Sequence, residues 1–451
     1  MKKLNPIVYL VLIFVLSEAA YIFASVNSGR QNMPIYMYVY FEAFILFFFS
    51  CFLIGNYAER EDRAFPWFNK LDGQPESRKN GLLLFLFVTG IIFRVTLFPS
   101  DITTSDDVYR YIWEGKVITN GYNPYKTAPN AEILNHLHTA DYPVKVSFPN
   151  MPAIYPPYSQ VIFAASYKIA GESFWGLKLF YLLSEIATMF FLIKLLYLKK
   201  KNPLNIIYYA WLPLPVLEFF GNVHLDPLGI TFIVMFVYYI ETKKYYLGTA
   251  ALAISFLAKL YPIFLFPLLF KKLNFKQLVY CSLLFAAVCL LFYTPFLDKD
   301  LSILKFISTY LSSWQFNGSI FSLFKAVFNS QIARYVCSAG LIISIISIWI
   351  FYKNFMNASY GIFLALIIFA TTLYPWYLGW LSALNVFNPF LSVLSLAFTI
   401  DFSNFTPLAP KWTEFTVVKL IEYIPFFILL VYDLRKNIFK PRVSIQEKET
   451  V

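Results

Sequence analysis

The chain has 451 residues, 59% hydrophobic and 20% aromatic but only 14% charged, with a mean hydropathy of +0.59, which excludes a soluble globular domain of ordinary composition. The net charge of +11 implies no nucleic-acid partner, because Lys and Arg gather in short clusters between apolar runs, at Lys199–Lys201, Lys243–Lys244, Lys271–Lys272 and Arg435–Lys436. That is the bias of cytoplasmic loops in a multi-span membrane protein. Cys51, Cys281, Cys289 and Cys337 lack Cys-x-x-Cys spacing, so neither a disulfide framework nor a zinc site is indicated.

Apolar runs long enough to cross about 30 Å of hydrocarbon recur along the chain. Met1-Lys2-Lys3 and Pro6–Ala24 imitate a signal peptide, yet no small-residue cleavage site precedes a soluble region, so the segment reads as a retained first helix. With Ile35–Gly55 it predicts a hairpin that returns to a charged cytoplasmic segment, Glu59–Lys79. Gly81–Phe98 then runs outward and delivers Pro99–Ala153 to the outer face, a connection long enough to be functional. Ile154–Ala170 conflicts with a cytoplasmic Lys199–Lys201 if it spans fully, so either it is re-entrant or the basic cluster breaks the rule. Phe174–Leu198, Leu204–Phe220, Pro227–Ile240, Tyr245–Lys259, Gln277–Tyr293, Cys337–Phe351 and Phe415–Tyr432 continue the pattern. A second outer loop, Thr294–Arg334, has apolar residues at helical spacing and is expected in the interface. The expected fold is all-α: a polytopic transmembrane helical protein with about 11–13 membrane helices, whose outer-face loops carry short amphipathic helices. Three parts are expected: an N-terminal hairpin and loop (1–80), a central module (81–377) with its outer loop 99–153, and C-terminal helices with a basic tail (378–451).

Polar motifs concentrate in the outer segments. Ser105-Asp106-Asp107-Val108-Tyr109-Arg110-Tyr111-Ile112-Trp113-Glu114-Gly115 places Val108, Tyr111, Ile112 and Gly115 on one helical face, with Ser105 as the expected N-cap. Acidic residues in a first turn are also what the helix dipole favours. An adjacent carboxylate pair at the mouth of a membrane cavity is, however, where a general base for an outer-face reaction belongs. Asn120-Gly121 closes this helix with turn chemistry, and Tyr155-Pro156-Pro157-Tyr158-Ser159-Gln160 starts the next with proline in its first turn. Asn222-Val223-His224-Leu225-Asp226 lies between two spans, and with three histidines in the chain it gives little support to metal ligation. Charges in apolar surroundings invite a functional reading, and Glu18, Glu42, Arg94, Glu185, Glu218 and Lys259 qualify. Snorkelling is the alternative for Arg94 and Lys259, and aromatic-belt anchoring for Tyr374-Pro375-Trp376-Tyr377.

Taken in order, Arg94, the Ser105–Gly115 motif, Asn123-Pro124-Tyr125, Tyr155-Pro156-Pro157 with Gln160, His224-x-Asp226, Lys259-Leu260-Tyr261-Pro262 and Pro375-Trp376-Tyr377 resemble the bacterial polyprenyl-phosphate-dependent glycosyltransferases of the C-type membrane fold, alpha-mannosyltransferase-like branch. The hairpin before Gly81 departs from that pattern by adding two helices. The resemblance implies inverting transfer of a hexose, mannose first, from a polyprenyl-phosphate sugar to a hydroxyl of a lipid or glycan acceptor at the outer face of the cytoplasmic membrane. It implies Asp107 as base with Asp106 in support, Arg110, Lys259 and Arg94 on the donor phosphate, and Tyr111, Tyr155, Gln160, His224, Asp226, Tyr261, Trp376 and Tyr377 around substrate. No cofactor is expected; Asp106 offers a divalent metal one carboxylate without a clear further ligand set. The other function class is a transporter or lipid flippase, for which buried charges and broken helices mark a substrate path. The long acidic outer loop and the lack of visible inverted repeats argue against it.

Overall fold

A computed structural model describes residues 6–58, 76–302 and 313–438. The basic start Met1–Lys3, most of the charged 59–79 segment, residues 303–312 of the second loop and the tail beyond 438 lie outside the described residues. A chain in hydrocarbon has no water for its backbone, so long apolar runs close their hydrogen bonds as helices. Among the described residues there is no strand, only isolated bridges of Phe316 and Asn317 with Thr372. The protein is polytopic and all-helical, as its composition demands.

Helices α1 (Pro6–Val26) and α2 (Met33–Ala58) form the N-terminal hairpin, α3 (Glu76–Thr96) follows, and α4 (Asp107–Thr119), α5 (Pro157–Ala170) and α6 (Trp175–Leu198) carry the chain through the first long connection and back. Among the described residues, seven helices are long and apolar enough to cross a membrane, eight if one bent pair counts as a span. Four shorter apolar helices, Pro227–Glu241, Tyr245–Ala258, Tyr261–Lys271 and Phe355–Ile368, accompany them, and the expected range is reached only by including these. Leu391–Leu408 also qualifies as a span, although its sequence did not delimit one. Lipid-facing surfaces are visible in the exposure of Leu283, Leu291, Ile343 and Phe351.

Two expectations are corrected here. Leu204–Phe220 is not one straight helix: Pro203–Ala210 and Pro213–Gly221 meet at 52°, because Pro213 and Pro215 lack the amide donors a continuous helix needs. Ser105 is not the N-cap of α4; Asp106 holds that place without a capping hydrogen bond, and the Ser105 hydroxyl accepts from the Asp107 amide at 3.3 Å.

Helix α5 has 14 residues, so it is ~21 Å long at 1.5 Å per residue, short of the ~30 Å core. Tyr245–Ala258 is equally short at 14 residues, so length fits a re-entrant α5 without setting it apart from the other short helices. Helix α5 packs on α4 through Gly115, where a Cβ would fall 2.3 Å from the Phe163 carbonyl oxygen; only glycine lets the two backbones approach this closely.

Candidate active site

Helix α4 begins the site. Its inner face, Val108, Tyr111, Ile112 and Gly115, packs on α5, with Tyr111 stacked on Phe163 at 4.7 Å. That contact fixes the helix and aims Asp107 into a cavity of about 1330 Å³. Asp106, Asp107, Arg110, Tyr111, Tyr155, Lys259, Tyr261, Trp376 and Tyr377 all line the cavity. Segments far apart in sequence therefore converge on one cavity.

The two carboxylates have different surroundings. Asp106 is partly exposed and ion-paired with Arg30 from the α1–α2 turn. Asp107 faces the cavity but is enclosed by protein, and its carboxylate is hydrogen-bonded to Tyr155. Burial pushes the Asp107 carboxyl above its ordinary range, against the opposing pull of Lys259 and Arg110 and of that hydrogen bond. A carboxylate raised in this way is a better proton acceptor than a free one.

The three expected phosphate cations separate. Lys259 follows the last residue of the Tyr245–Ala258 helix in extended conformation. Its Nζ lies 2.5 Å from Asp226 Oδ1 and 4.3 Å from the centre of the Tyr377 ring. Asp226 Oδ1 also accepts from Trp380 Nε1 at 2.5 Å, so Asp226 fixes the lysine from behind the cavity wall. Arg110 lines the cavity, but its guanidinium donates to Glu114 at 2.9 Å, Ser147 O at 2.8 Å, Pro152 O at 2.7 Å and Met151 O. These bonds use its donors to tie the 147–152 loop to α4. Arg94 is not brought to the cavity. It is fully buried, donates to Glu185 at 2.7 and 2.9 Å and to the carbonyls of Gly90 and Ala210, while Tyr209 donates to the other Glu185 oxygen at 2.6 Å. It ties α3 to α6 and neither snorkels nor faces a ligand.

Gln160, His224 and Asp226 stand behind the wall as supports. Gln160 donates to Glu114 at 2.6 Å, which joins it to the Arg110 network. His224 is buried and stacks on Trp376 with ring centroids 3.5 Å apart; Trp376 stacks in turn on Tyr374 at 4.5 Å, and Tyr374 on Phe316 at 4.6 Å. This aromatic ladder joins the Asn222–Asp226 turn to the 371–377 break and the second loop, where Leu373 N donates to Phe316 O at 2.8 Å.

Several wall residues carried no motif in the sequence. Arg30 belongs to a turn with no pattern of its own. Arg334, near the start of the Ser330–Phe351 helix, donates to Trp314 O at 2.8 Å, and Trp314 packs on Phe148 at 4.8 Å, bridging the two loops. Trp380 follows Trp376 at a four-residue spacing, which could have signalled a shared face. One stretch of the wall is apolar, with Phe256, Ile263, Phe264, Leu341, Leu366 and Ile367, while Gln315, Ser338, Thr371 and Asn404 add polar groups elsewhere. Among the described residues no group of three or more His, Cys, Asp or Glu side chains could hold a metal ion.

A large cavity, polar on the α4 side and apolar between helices, is therefore furnished with a buried carboxylate and a positioned lysine. Residues 86–272 match the alpha-(1->6)-mannopyranosyltransferase N-terminal domain of the MptA_B family. The match supports a mannosyltransferase-like membrane glycosyltransferase. No curated protein matches the chain. The mannosyltransferase-like stretch contains Asp106, Asp107, Tyr155, Lys259 and Tyr261, whereas the α1–α2 hairpin and the Trp376-Tyr377 segment lie outside it.

Proposed function

We propose that the protein transfers mannose from a polyprenyl-phosphate sugar to an acceptor hydroxyl at the outer face of the cytoplasmic membrane, with inversion at the anomeric carbon. The observation that carries this reading is the placement of Asp107 and Lys259 on one cavity that also has an apolar stretch of wall, Phe256, Ile263, Phe264, Leu341, Leu366 and Ile367. At about 1330 Å³ it exceeds the ~300–1,000 Å³ of ordinary small-molecule sites, leaving room for a lipid-linked sugar and an acceptor together. The apolar wall suits a polyprenyl chain, and the charge bias of the Lys199–Lys201, Lys243–Lys244 and Lys271–Lys272 clusters supports the outward orientation.

In this reading Asp107 removes the proton from the acceptor hydroxyl as its oxygen forms the new bond to the anomeric carbon. The bond from that carbon to the phosphate oxygen breaks, and the polyprenyl phosphate departs with its added negative charge beside Lys259. One base suffices for a single inverting displacement. Asp226, Tyr377 and Trp380 hold Lys259 in place; Arg110, Glu114 and Gln160 hold the loop that covers the reaction. The catalytic module is drawn at 81–377, which takes in Trp314 and the 371–377 segment beyond the matched stretch, and Arg30, Trp380, Asn404 and Trp412 add to the cavity from outside those bounds.

The test is transfer by purified protein in proteoliposomes, with radiolabelled mannose supplied either on a polyprenyl phosphate or on a nucleotide. Label incorporated only from the lipid donor is expected. Incorporation only from the nucleotide sugar would refute the donor assignment, and incorporation from neither would refute the reading as a whole.

A further inference from the structure

The α1–α2 turn reaches a site that the rest of the chain builds without it. Gly29, at φ +109°, turns the chain in a region that favours glycine, and its amide donates to Thr103 Oγ1 at 3.3 Å. The Ser28 hydroxyl accepts from the Asp101 amide at 2.8 Å. These bonds pin the turn to the segment leading into α4. Arg30 thereby meets Asp106, and both residues line the cavity. The Asp106 carboxylate makes no capping hydrogen bond to α4 although it occupies the N-cap position. Its charge is turned towards Arg30 rather than spent on the helix end.

Two adjacent carboxylates at the mouth of a cavity repel an incoming phosphate, yet only one is needed as a base. We infer that Arg30 is a positioning residue for an anionic lipid ligand: it neutralises Asp106 at the cavity mouth, so the N-terminal hairpin, which lies outside the matched stretch, is part of the donor site. The inference rests on the donor class proposed above. Arg30 and Asp106 are partly exposed, at 46% and 39%, so solvent and salt screen the pair and its effect on a nearby anion is modest. Arg30→Ala should therefore weaken binding of the anion about 2–5-fold at low ionic strength, and the loss should shrink as salt screens Asp106.

The experiment measures binding of a short-chain polyprenyl phosphate by intrinsic tryptophan fluorescence in detergent, since Trp314, Trp376 and Trp380 line the cavity; mannosyl transfer is followed alongside. Arg30→Ala should raise the Kd and the donor KM by that factor at low salt with kcat retained, Arg30→Lys should keep near-normal affinity, and adding Asp106→Asn to Arg30→Ala should restore it. If Arg30→Ala binds as tightly as wild type at low salt, or if the double variant remains as weak as Arg30→Ala, the charge-neutralising role is overturned. Wild type that fails to bind the polyprenyl phosphate overturns the donor assignment together with this inference. Wild type that binds while all variants match it overturns the inference alone.

Discussion

Replacing Asp107 by Asn keeps the side chain's shape and its ability to accept from Tyr155, and removes only basicity and charge. General-base assistance contributes ~10²–10⁴ in rate, so the barrier should rise by about 2.7–5.4 kcal/mol at 1.36 kcal/mol per tenfold. Stability should move the other way. Burial raises the Asp107 carboxyl above its ordinary range; a group raised on folding contributes stability that is fully present below the unfolded value, ~3.9 for Asp, and lost as pH rises through the folded one. At neutral pH the ionised carboxylate is therefore a cost to the fold, and the Asn variant should unfold at the same temperature or higher. The wild-type rate should fall as pH drops through the raised value, with that limb above the ordinary carboxylate range, and the limb should vanish in the residual rate of Asp107→Asn. The assay is steady-state mannosyl transfer in proteoliposomes across pH, paired with thermal unfolding in detergent. Turnover of Asp107→Asn within a few-fold of wild type would refute the base assignment. Loss of activity together with a large fall in melting temperature would show that the residue is structural.

Lys259→Ala should raise the donor KM more than the acceptor KM in steady-state kinetics, and unchanged donor dependence would remove the lysine from the phosphate. Asp226→Asn leaves the buried Lys259 charge without its partner, a loss of ~3–5 kcal/mol for broken buried pairs, to be read as a lower melting temperature with impaired donor use; an unaltered melting temperature would contradict the pairing. Gly115→Ala drives a methyl group against the Phe163 carbonyl and should cost about 1–3 kcal/mol of stability, visible as reduced yield and a lower melting temperature. Cysteines placed at Lys126 and Asp141, in the first long loop, should react with an impermeant maleimide in intact cells, and reaction only after permeabilisation would reverse the proposed orientation.

Much of the architecture was legible because hydrocarbon allows few solutions: a run such as Trp175–Leu198 can only be a helix. Less legible were the places where proline, glycine and charge interrupt the pattern. The bend at Pro213 and the short α5 follow from local chemistry, but their consequence for topology depends on packing that hydropathy does not record. In the site, the α4 carboxylates, Tyr155, Lys259 and the 374–377 break were visible because each is a polar or aromatic interruption near an apolar segment. Their roles were less visible. Arg110 and Lys259 are both cations beside motifs, yet one is consumed by four carbonyl contacts and Glu114 and the other is held by one aspartate. Arg94 looked available because its partner, Glu185, lies 91 residues away, a distance over which no sequence periodicity speaks. Arg30 was missed for the same reason, since its meaning comes wholly from the turn that brings it to Asp106.

That separation of Arg94 from Glu185 also bears on how the protein is made. At ~5–20 residues per second, the 91 residues between them take the ribosome roughly 5–18 s. During that interval α3 has left the ribosome with a guanidinium whose counter-charge does not yet exist. A lone arginine costs up to ~2.5–3.5 kcal/mol at a bilayer centre on insertion scales and less towards a helix end; Arg94 is in the last turn of α3 but its side chain is buried against α6, so α3 should be held until α6 arrives and the two pack as a pair. The buried ion pair thus sets an order of assembly for the nascent chain. A chain truncated before Glu185 should leave α3 accessible to water-soluble reagents, whereas one extended past α6 should seal it.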